Sequence, residues 1–277
     1  MRKLLVGISI ALFVSACGSP AETESALDAL QSAADKVEGA GSARMAMSMS
    51  MAGESLPVTE ANTTGVMDFE NKRGKMQMRM ELPLIGPTVM TMLNEGLVAY
   101  MKAPYLEELL PPGVDWVRLD MQALGNESGF DFEALTQLGG GTDPTQFLQY
   151  MRGASDDVRE IGREMVGDVM TTHYHATLDL ERAAENAPEE VREAARQSIE
   201  LLESMLESDM PVDVWLDDSG LMRKMTSQYT MNIPNAGRMD VDLTMSLWDF
   251  GVDVRVKIPP EGKTIDFQQL MEQSGSL

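Results

Sequence analysis

Apolar and polar residues alternate one by one over much of the chain. Met45, Met47, Met49 and Met51 alternate with Arg44, Ala46, Ser48 and Ser50, and Met76, Met78, Met80 and Leu82 with Lys75, Gln77, Arg79 and Glu81. The same period recurs at Tyr174, Ala176, Leu178 and Leu180, at Val241, Leu243, Met245 and Leu247, and at Val252, Val254, Val256 and Ile258. Successive side chains of a strand point to opposite faces. Strict alternation therefore gives one apolar and one wet face, as in an antiparallel sheet covered on one side. Weaker strands are expected at Thr64–Phe69, Val89–Leu93, Leu97–Lys102, Trp116–Asp120, Val212–Leu216 and Leu221–Ile233. Turn chemistry separates them at Asn71-Lys72-Arg73-Gly74, Asn94-Glu95-Gly96, Asp217-Asp218-Ser219-Gly220 and Asn235-Ala236-Gly237. The count reaches about ten or eleven strands, more than a flat open sheet holds without strong curling.

Helical periodicity is confined to a few stretches. Glu22 to Val37 carries Leu27, Leu30, Ala34 and Val37 on one stripe, and Gly39 ends it. Asp143-Pro144 reads as an N-cap with proline at the first helical position, opening a short helix with Phe147, Leu148 and Met151 inside. Pro188 to Ser208 is the longest, with Val191, Ala195, Ile199, Leu202 and Leu206 along one face. Gly125 to Asp143 is glycine-rich and reads as a loop region that could move to open the interior. No linker divides the strands, so the expectation for 24–277 is a single α+β domain in which helices cover the concave face of a strongly curved antiparallel half-barrel.

The N-terminus departs from both periods. Arg2 and Lys3 precede an apolar run from Leu4 to Val14, and the small residues Ser15 and Ala16 lead to Cys17. This is the layout of a secretory signal peptide over residues 1–16, too short to span ~30 Å of hydrocarbon as a mature helix. Val14-Ser15-Ala16-Cys17 has the form of a bacterial lipobox, in which the cysteine receives a diacylglyceryl group and becomes the mature N-terminus. Cys17 is the only cysteine in the chain, so the expectation is lipidation there, with Gly18 to Thr23 as a short tether. Two acyl chains anchor stably where one would be marginal, which would place the protein on the outer face of the cell membrane.

Composition narrows the chemistry. The 277 residues contain 22 Lys and Arg against 44 Asp and Glu, a net charge of −22. Removing Arg2 and Lys3 with the leader makes it −24. A chain this acidic argues against a nucleic-acid partner and against adhesion to anionic lipid by charge. One cysteine precludes an internal disulfide, and two histidines supply little for metal catalysis. No nucleophile elbow, P-loop, dinucleotide fingerprint or zincin signature is present, so no catalytic residues and no cofactor are expected. His173 and His175 share one strand face with Thr177 and Asp179; this is a possible metal seed, weighed against a plain solvated face. The 24 methionines fall mostly on apolar strand positions. Thioethers are soft Cu(I) ligands, but they are also unbranched and adaptable, and their spread over many strands favours wall material over a local copper site.

The lipobox, the helix ending at Gly39-Ala40-Gly41-Ser42 and the antiparallel pattern together resemble the LppX/LprG group of actinobacterial lipoproteins. Gly167-Asp168-Val169-Met170-Thr171-Thr172-His173-Tyr174, Val212-Asp213-Val214-Trp215-Leu216-Asp217-Asp218-Ser219-Gly220-Leu221, and Trp248-Asp249-Phe250-Gly251-Val252-Asp253-Val254 leading to Ile258-Pro259-Pro260 resemble strand segments of that group. The resemblance implies a LolA-like fold, a curved sheet enclosing a lipid-binding cavity. Members carry acylated lipid or glycolipid outside the plasma membrane, with a membrane transporter as a possible partner. The apolar strand positions give the expected cavity wall: Met45, Met47, Met49, Met51, Met76, Met78, Met80, Leu82, Tyr174, Leu178, Val214, Val241, Leu243 and Met245. Two alternatives stay open, a sensor or accessory lipoprotein that binds a protein partner in envelope signalling and a methionine-based copper binder.

Overall fold

A computed structural model describes residues 25–53, 59–82, 86–128, 158–185, 189, 192–207, 210–233 and 237–274. The expected signal peptide, the tether with Cys17, the helix opened by Asp143-Pro144 and residues 129–143 of the loop region expected from Gly125 lie outside them, while Gly125 to Ser128 of that region are helical and not loop.

Helix α1 (Ala26–Gly39) begins where the hydroxyl of Ser25 accepts the backbone N–H of Asp28 at 3.1 Å. This N-cap satisfies a donor that the first turn leaves open. The helix closes as the Ala40 N–H reaches the Lys36 carbonyl at 3.0 Å and Gly41 turns the chain at φ +76°. That left-handed glycine lets strand β1 (Ser42–Gly53) start at the next residue.

From β1 a meander runs through β2 (Thr59–Asp68), β3 (Arg73–Leu82), β4 (Gly86–Glu95), β5 (Val98–Lys102) and β6 (Trp116–Asp120) to helix α2 (Met121–Ser128). A second meander comprises β7 (Arg159–Val166), β8 (Val169–Leu178), β9 (Met210–Asp217), β10 (Met222–Ile233) and β11 (Gly237–Trp248). Helices α3 (Leu180–Glu185) and α4 (Arg192–Met205) are inserted between β8 and β9, and β12 (Thr264–Asp266) and α5 (Phe267–Ser274) follow β11. All strands join one twelve-stranded sheet in the order β12-β6-β5-β4-β3-β2-β1-β11-β10-β9-β8-β7. Every pairing is antiparallel except β12 with β6, and β12 and β7 are the unpaired edges, so the described sheet is not closed.

The two meanders meet where β1 pairs with β11, from Arg44 opposite Trp248 to Gly53 opposite Met239. Over this junction lies α1, with Leu30, Ala33, Ala34 and Val37 fully buried. They share one core with Met45, Met67 and Met76 of the first meander and Val212, Val214, Met222, Met225, Met245 and Leu247 of the second. A smaller core at the other edge joins Val117, Ile265 and Leu270 of β6, β12 and α5. Among the described residues, α1 is the helix whose side chains belong to the main core.

Several expected elements are corrected by the structure. Val252–Ile258 is no strand: among the described residues no ladder partner borders it, although Val254 is buried and the Val252 carbonyl accepts the Ser42 hydroxyl at 2.6 Å. Alternation gives such a segment a face, but a strand also needs a neighbour with open hydrogen-bonding groups. Leu180 does not extend β8, because the Asp179 carboxylate accepts the Arg182 N–H at 2.9 Å and opens α3 instead. The long helix expected over 188–208 is described from Arg192 to Met205. Strand β7 is new; Glu160, Ile161, Glu164 and Met165 are exposed, so no apolar face marks it in the sequence.

The β2–β3 turn depends on Asp68. Its carboxylate accepts the Asn71 backbone N–H at 2.9 Å and the Arg73 Nε–H at 3.0 Å. Burial pushes the carboxyl up, but the hydrogen bonds from Asn71 and the ion pair with Arg73 outweigh it, and the net shift is downward. A depressed folded pKa stabilises the native state above the unfolded carboxylate value, and this contribution is lost as the pH falls through the folded value. Asp68→Ala should therefore cost about 1–3 kcal/mol at neutral pH by removing a charged, hydrogen-bonded acceptor. In thermal melts the gap to wild type should narrow below pH ~4.

Candidate functional site

Strand register arranges the expected wall residues in rows on one face of the sheet. One row runs Tyr174, Val214, Met225, Met245, Met47, Thr63, Met78 and Met90, each opposite the next on adjacent strands. The next runs Leu247, Met45, Gly65, Met76, Met92, Met101 and Val117. A third joins Ala176, Val212, Ser227, Leu243, Met49, Ala61, Met80 and Thr88. Met51 stands opposite Val241, and Leu82 is opposite Gly86 by register. Thioether side chains thus lie beside one another over β1, β3, β4, β10 and β11.

Packing over this face is uneven. Met45, Met76, Tyr174, Val214, Val241 and Met245 are buried. Met47, Leu178 and Leu243 are partly buried against the core under α1, whereas Met49, Met51, Met78 and Met80 are half-buried beyond it. The same face is therefore solid near α1 and more open toward the far ends of β1 and β3. Tyr229, opposite Val241, also lies on this face, and burial pushes its phenol pKa up.

Between the methionines of β1 and β3 runs a strip of small side chains. Thr59, Ala61, Thr63 and Gly65 of β2 face Met51, Met49, Met47 and Met45 of β1. Across β2, Ala61, Thr63 and Gly65 face Met80, Met78 and Met76 of β3. By register this makes a trench floored by β2 and walled by thioethers, covered over at Thr63, which is 1% exposed. The alternation of the letters predicts this strand at Thr64–Phe69, whereas β2 begins at Thr59, where small and polar residues alternate without a marked apolar face. Gly65 closes one end: a Cβ there would stand 2.8 Å from the Met76 Cγ and closer still to the Lys75 carbonyl oxygen. Gly65→Ala should thus force Met76 and β3 to shift, at a cost of about 1–3 kcal/mol. Urea unfolding would read this as a lower midpoint with an unchanged slope.

The opposite face is polar. His173 Nε2 and His175 Nδ1 both lie against the Asp213 Oδ1, at 2.8 and 3.0 Å. Glu164 Oε1 accepts the Trp215 Nε1–H at 2.6 Å and sits 3.3 Å from His173 Nδ1. The His173 ring stacks on Trp215 at 4.3 Å between centroids, and the Lys224 ammonium also lies 4.3 Å from that ring. The histidines thus hold a cross-strand polar network together, and among the described residues no group of three or more ligating side chains is placed to hold a metal ion.

A separate cavity of about 480 Å³ between α3 and α4 is lined by Glu181, Glu185, Glu193, Arg196, Ile199, Glu200 and Glu203. Burial, then the neighbouring Glu181, Asp179 and Glu200, push the Glu203 carboxyl up. Its lining is acidic, unlike the methionine face. Among the described residues no helix is long and apolar enough to cross a bilayer.

No protein-family model matches the chain. It is 26% identical over 165 residues to an uncharacterized 31.2 kDa protein of Streptomyces griseus from the rplA-rplJ intergenic region, covering 59% of this chain and 52% of that one. The chain thus spans about half the length of the curated relative it matches. Among solved structures it is similar to LprF from Mycobacterium bovis, at 14% identity and TM-score 0.44, covering 84% of this chain and 96% of that one. The lipoprotein LppX from Mycobacterium tuberculosis gives 12% identity and TM-score 0.46, covering 84% and 98%. A LolA-superfamily protein from Nitrosomonas europaea gives 11% identity and TM-score 0.29, covering 85% and 95%.

Proposed function

We propose that this protein is a non-catalytic lipoprotein, tethered by a diacylglyceryl group on Cys17 to the outer face of the cell membrane, that binds the acyl chains of a lipid or glycolipid. The observation that carries the reading is the methionine face, in which eleven of the 24 methionines occupy three neighbouring rows of one sheet. Its half-buried end offers thioethers that adapt to a chain of variable shape, while the end under α1 stays packed. Each methylene taken from water contributes about 0.8 kcal/mol, so two acyl chains are held without a specific polar contact. The charges of β1 and β3 stand at the alternate positions Arg44, Arg73, Lys75, Arg79 and Glu81, on the other face. A carrier of this kind hands lipid to a membrane partner, and a transporter is the partner class that fits.

Separate measurements test the binding and the anchor. Mass spectrometry of an organic extract from the purified Cys17→Ala chain should recover acylated lipid, and delipidated protein should take up a fluorescent fatty acid. No lipid together with no uptake sinks the binding function. Labelled palmitate should enter wild type and not Cys17→Ala, and the variant should leave the membrane fraction; equal labelling of the two removes the anchor.

A further inference from the structure

We propose that the Thr63 hydroxyl is the polar anchor of the trench, donating a hydrogen bond to the carbonyl oxygen of an acyl ester lodged over β2. The inference deepens the lipid-binding reading above and rests on it.

Thr63 is 1% exposed, and its Oγ1 has no hydrogen-bond partner among the described residues. A buried hydroxyl without a partner carries its full desolvation penalty, so such a group calls for a specific explanation. Three of the four other buried serines and threonines of this sheet have a hydroxyl bond of their own. Ser42 donates to the Val252 carbonyl at 2.6 Å, Thr171 to Glu164 at 2.8 Å and Ser227 to Pro211 at 2.9 Å. Thr63 differs in its surroundings: Met47 and Met78 stand opposite it on the two adjacent strands, and Ala61 and Gly65 are the next residues of β2 on its face. Thioethers accept hydrogen bonds only weakly, and the small residues offer no acceptor at all.

What such a site lacks is one neutral acceptor. The charged residues of the surrounding strands, Arg44, Glu60, Lys75 and Arg79, stand at the alternate positions and point to the other face. A phosphate or free carboxylate would therefore be buried without a counter-charge, which is costly. An ester carbonyl carries no charge and asks for a single donor, which Thr63 has. The alkyl chain attached to it can then run past Ala61 toward Thr59, between the half-buried Met49 and Met51 and the half-buried Met80. Toward Gly65 the way is closed by Met76. Asn94 Oδ1, also buried and unpaired, cannot serve here because it is an acceptor itself.

The test uses the Cys17→Ala full chain with wild-type Thr63, Thr63→Val and Thr63→Ser. Methyl palmitate and heptadecane, similar in length but with and without the ester, compete against a fluorescent apolar probe. Thr63→Val should weaken methyl palmitate about five- to tenfold and leave heptadecane unchanged. Thr63→Ser should stay within about twofold of wild type for both, since it keeps the donor. Without ligand, Thr63→Val should melt at or above the wild-type temperature, because it replaces an unsatisfied hydroxyl by a methyl of the same shape. Equal binding of methyl palmitate by Thr63→Val and wild type, or an equal loss for both ligands, overturns the anchor while lipid binding stands. If wild type displaces the probe with neither ligand, the lipid-binding reading itself fails, and the anchor with it.

Discussion

Pairing of β1 with β11 is the constraint on which the rest of the fold depends. Each meander is a set of local hairpins, but the sheet becomes one only where Arg44–Gly53 meets Met239–Trp248, nearly two hundred residues later. Closing so long a loop is entropically costly and has to be offset by what is buried at the junction. Helix α1 supplies that burial, since its apolar stripe packs on side chains of both meanders at once. At one end of the seam Arg44 pairs with Asp249 at 3.1 Å, and the Gly251 N–H donates to the Ser42 carbonyl at 2.8 Å. Together these contacts fix the register, and a slip of one residue would turn every methionine to the polar face.

Once that register is set, the methionine face follows. Strand pairing stacks methionine against methionine across β1, β11 and β10, and across β3, β4 and β5. Branched residues would fill the same rows with rigid shapes, whereas thioethers on three rotatable bonds leave the surface deformable. Helix α1 makes part of this surface a solid core; away from it the same residue type is left half-buried. One kind of side chain thus serves stability at one end and adaptable contact at the other, and only coverage by the helix separates the two roles.

The polar face carries its charge in cross-strand pairs rather than in a site. Asp213 gathers both histidines, Glu164 holds the Trp215 indole, and Arg223 reaches Asp217 at 2.6 Å beside the β9–β10 turn. These pairs bear on register because each bond runs between strands, Glu164 to Trp215 reaching from β7 to β9 across β8.

The letters alone determined much of this molecule, since alternation is a local property. Met45 to Met51, Met76 to Met80 and Val241 to Leu247 lie in strands with the apolar side as read, and the turn at Asp217–Gly220 is where its residues place it, with Gly220 at φ +77°. Local pattern failed where a partner decides. Val252–Ile258 alternates but among the described residues has no neighbour to pair with, while β7, exposed on both faces, shows no alternation and yet completes a ladder with β8. The wall residues could be named by type, but their order across strands depends on register, a non-local quantity. The trench is the clearest case. Thr59, Ala61, Thr63 and Gly65 are inconspicuous in sequence, and nothing local indicates that methionines flank them on both sides or that the Thr63 hydroxyl is buried without a partner. The sequence by itself determined which side chains face inward, because that depends on the two-residue period of a strand. The tertiary structure alone decided which of them meet, because that depends on pairing between segments far apart in the chain.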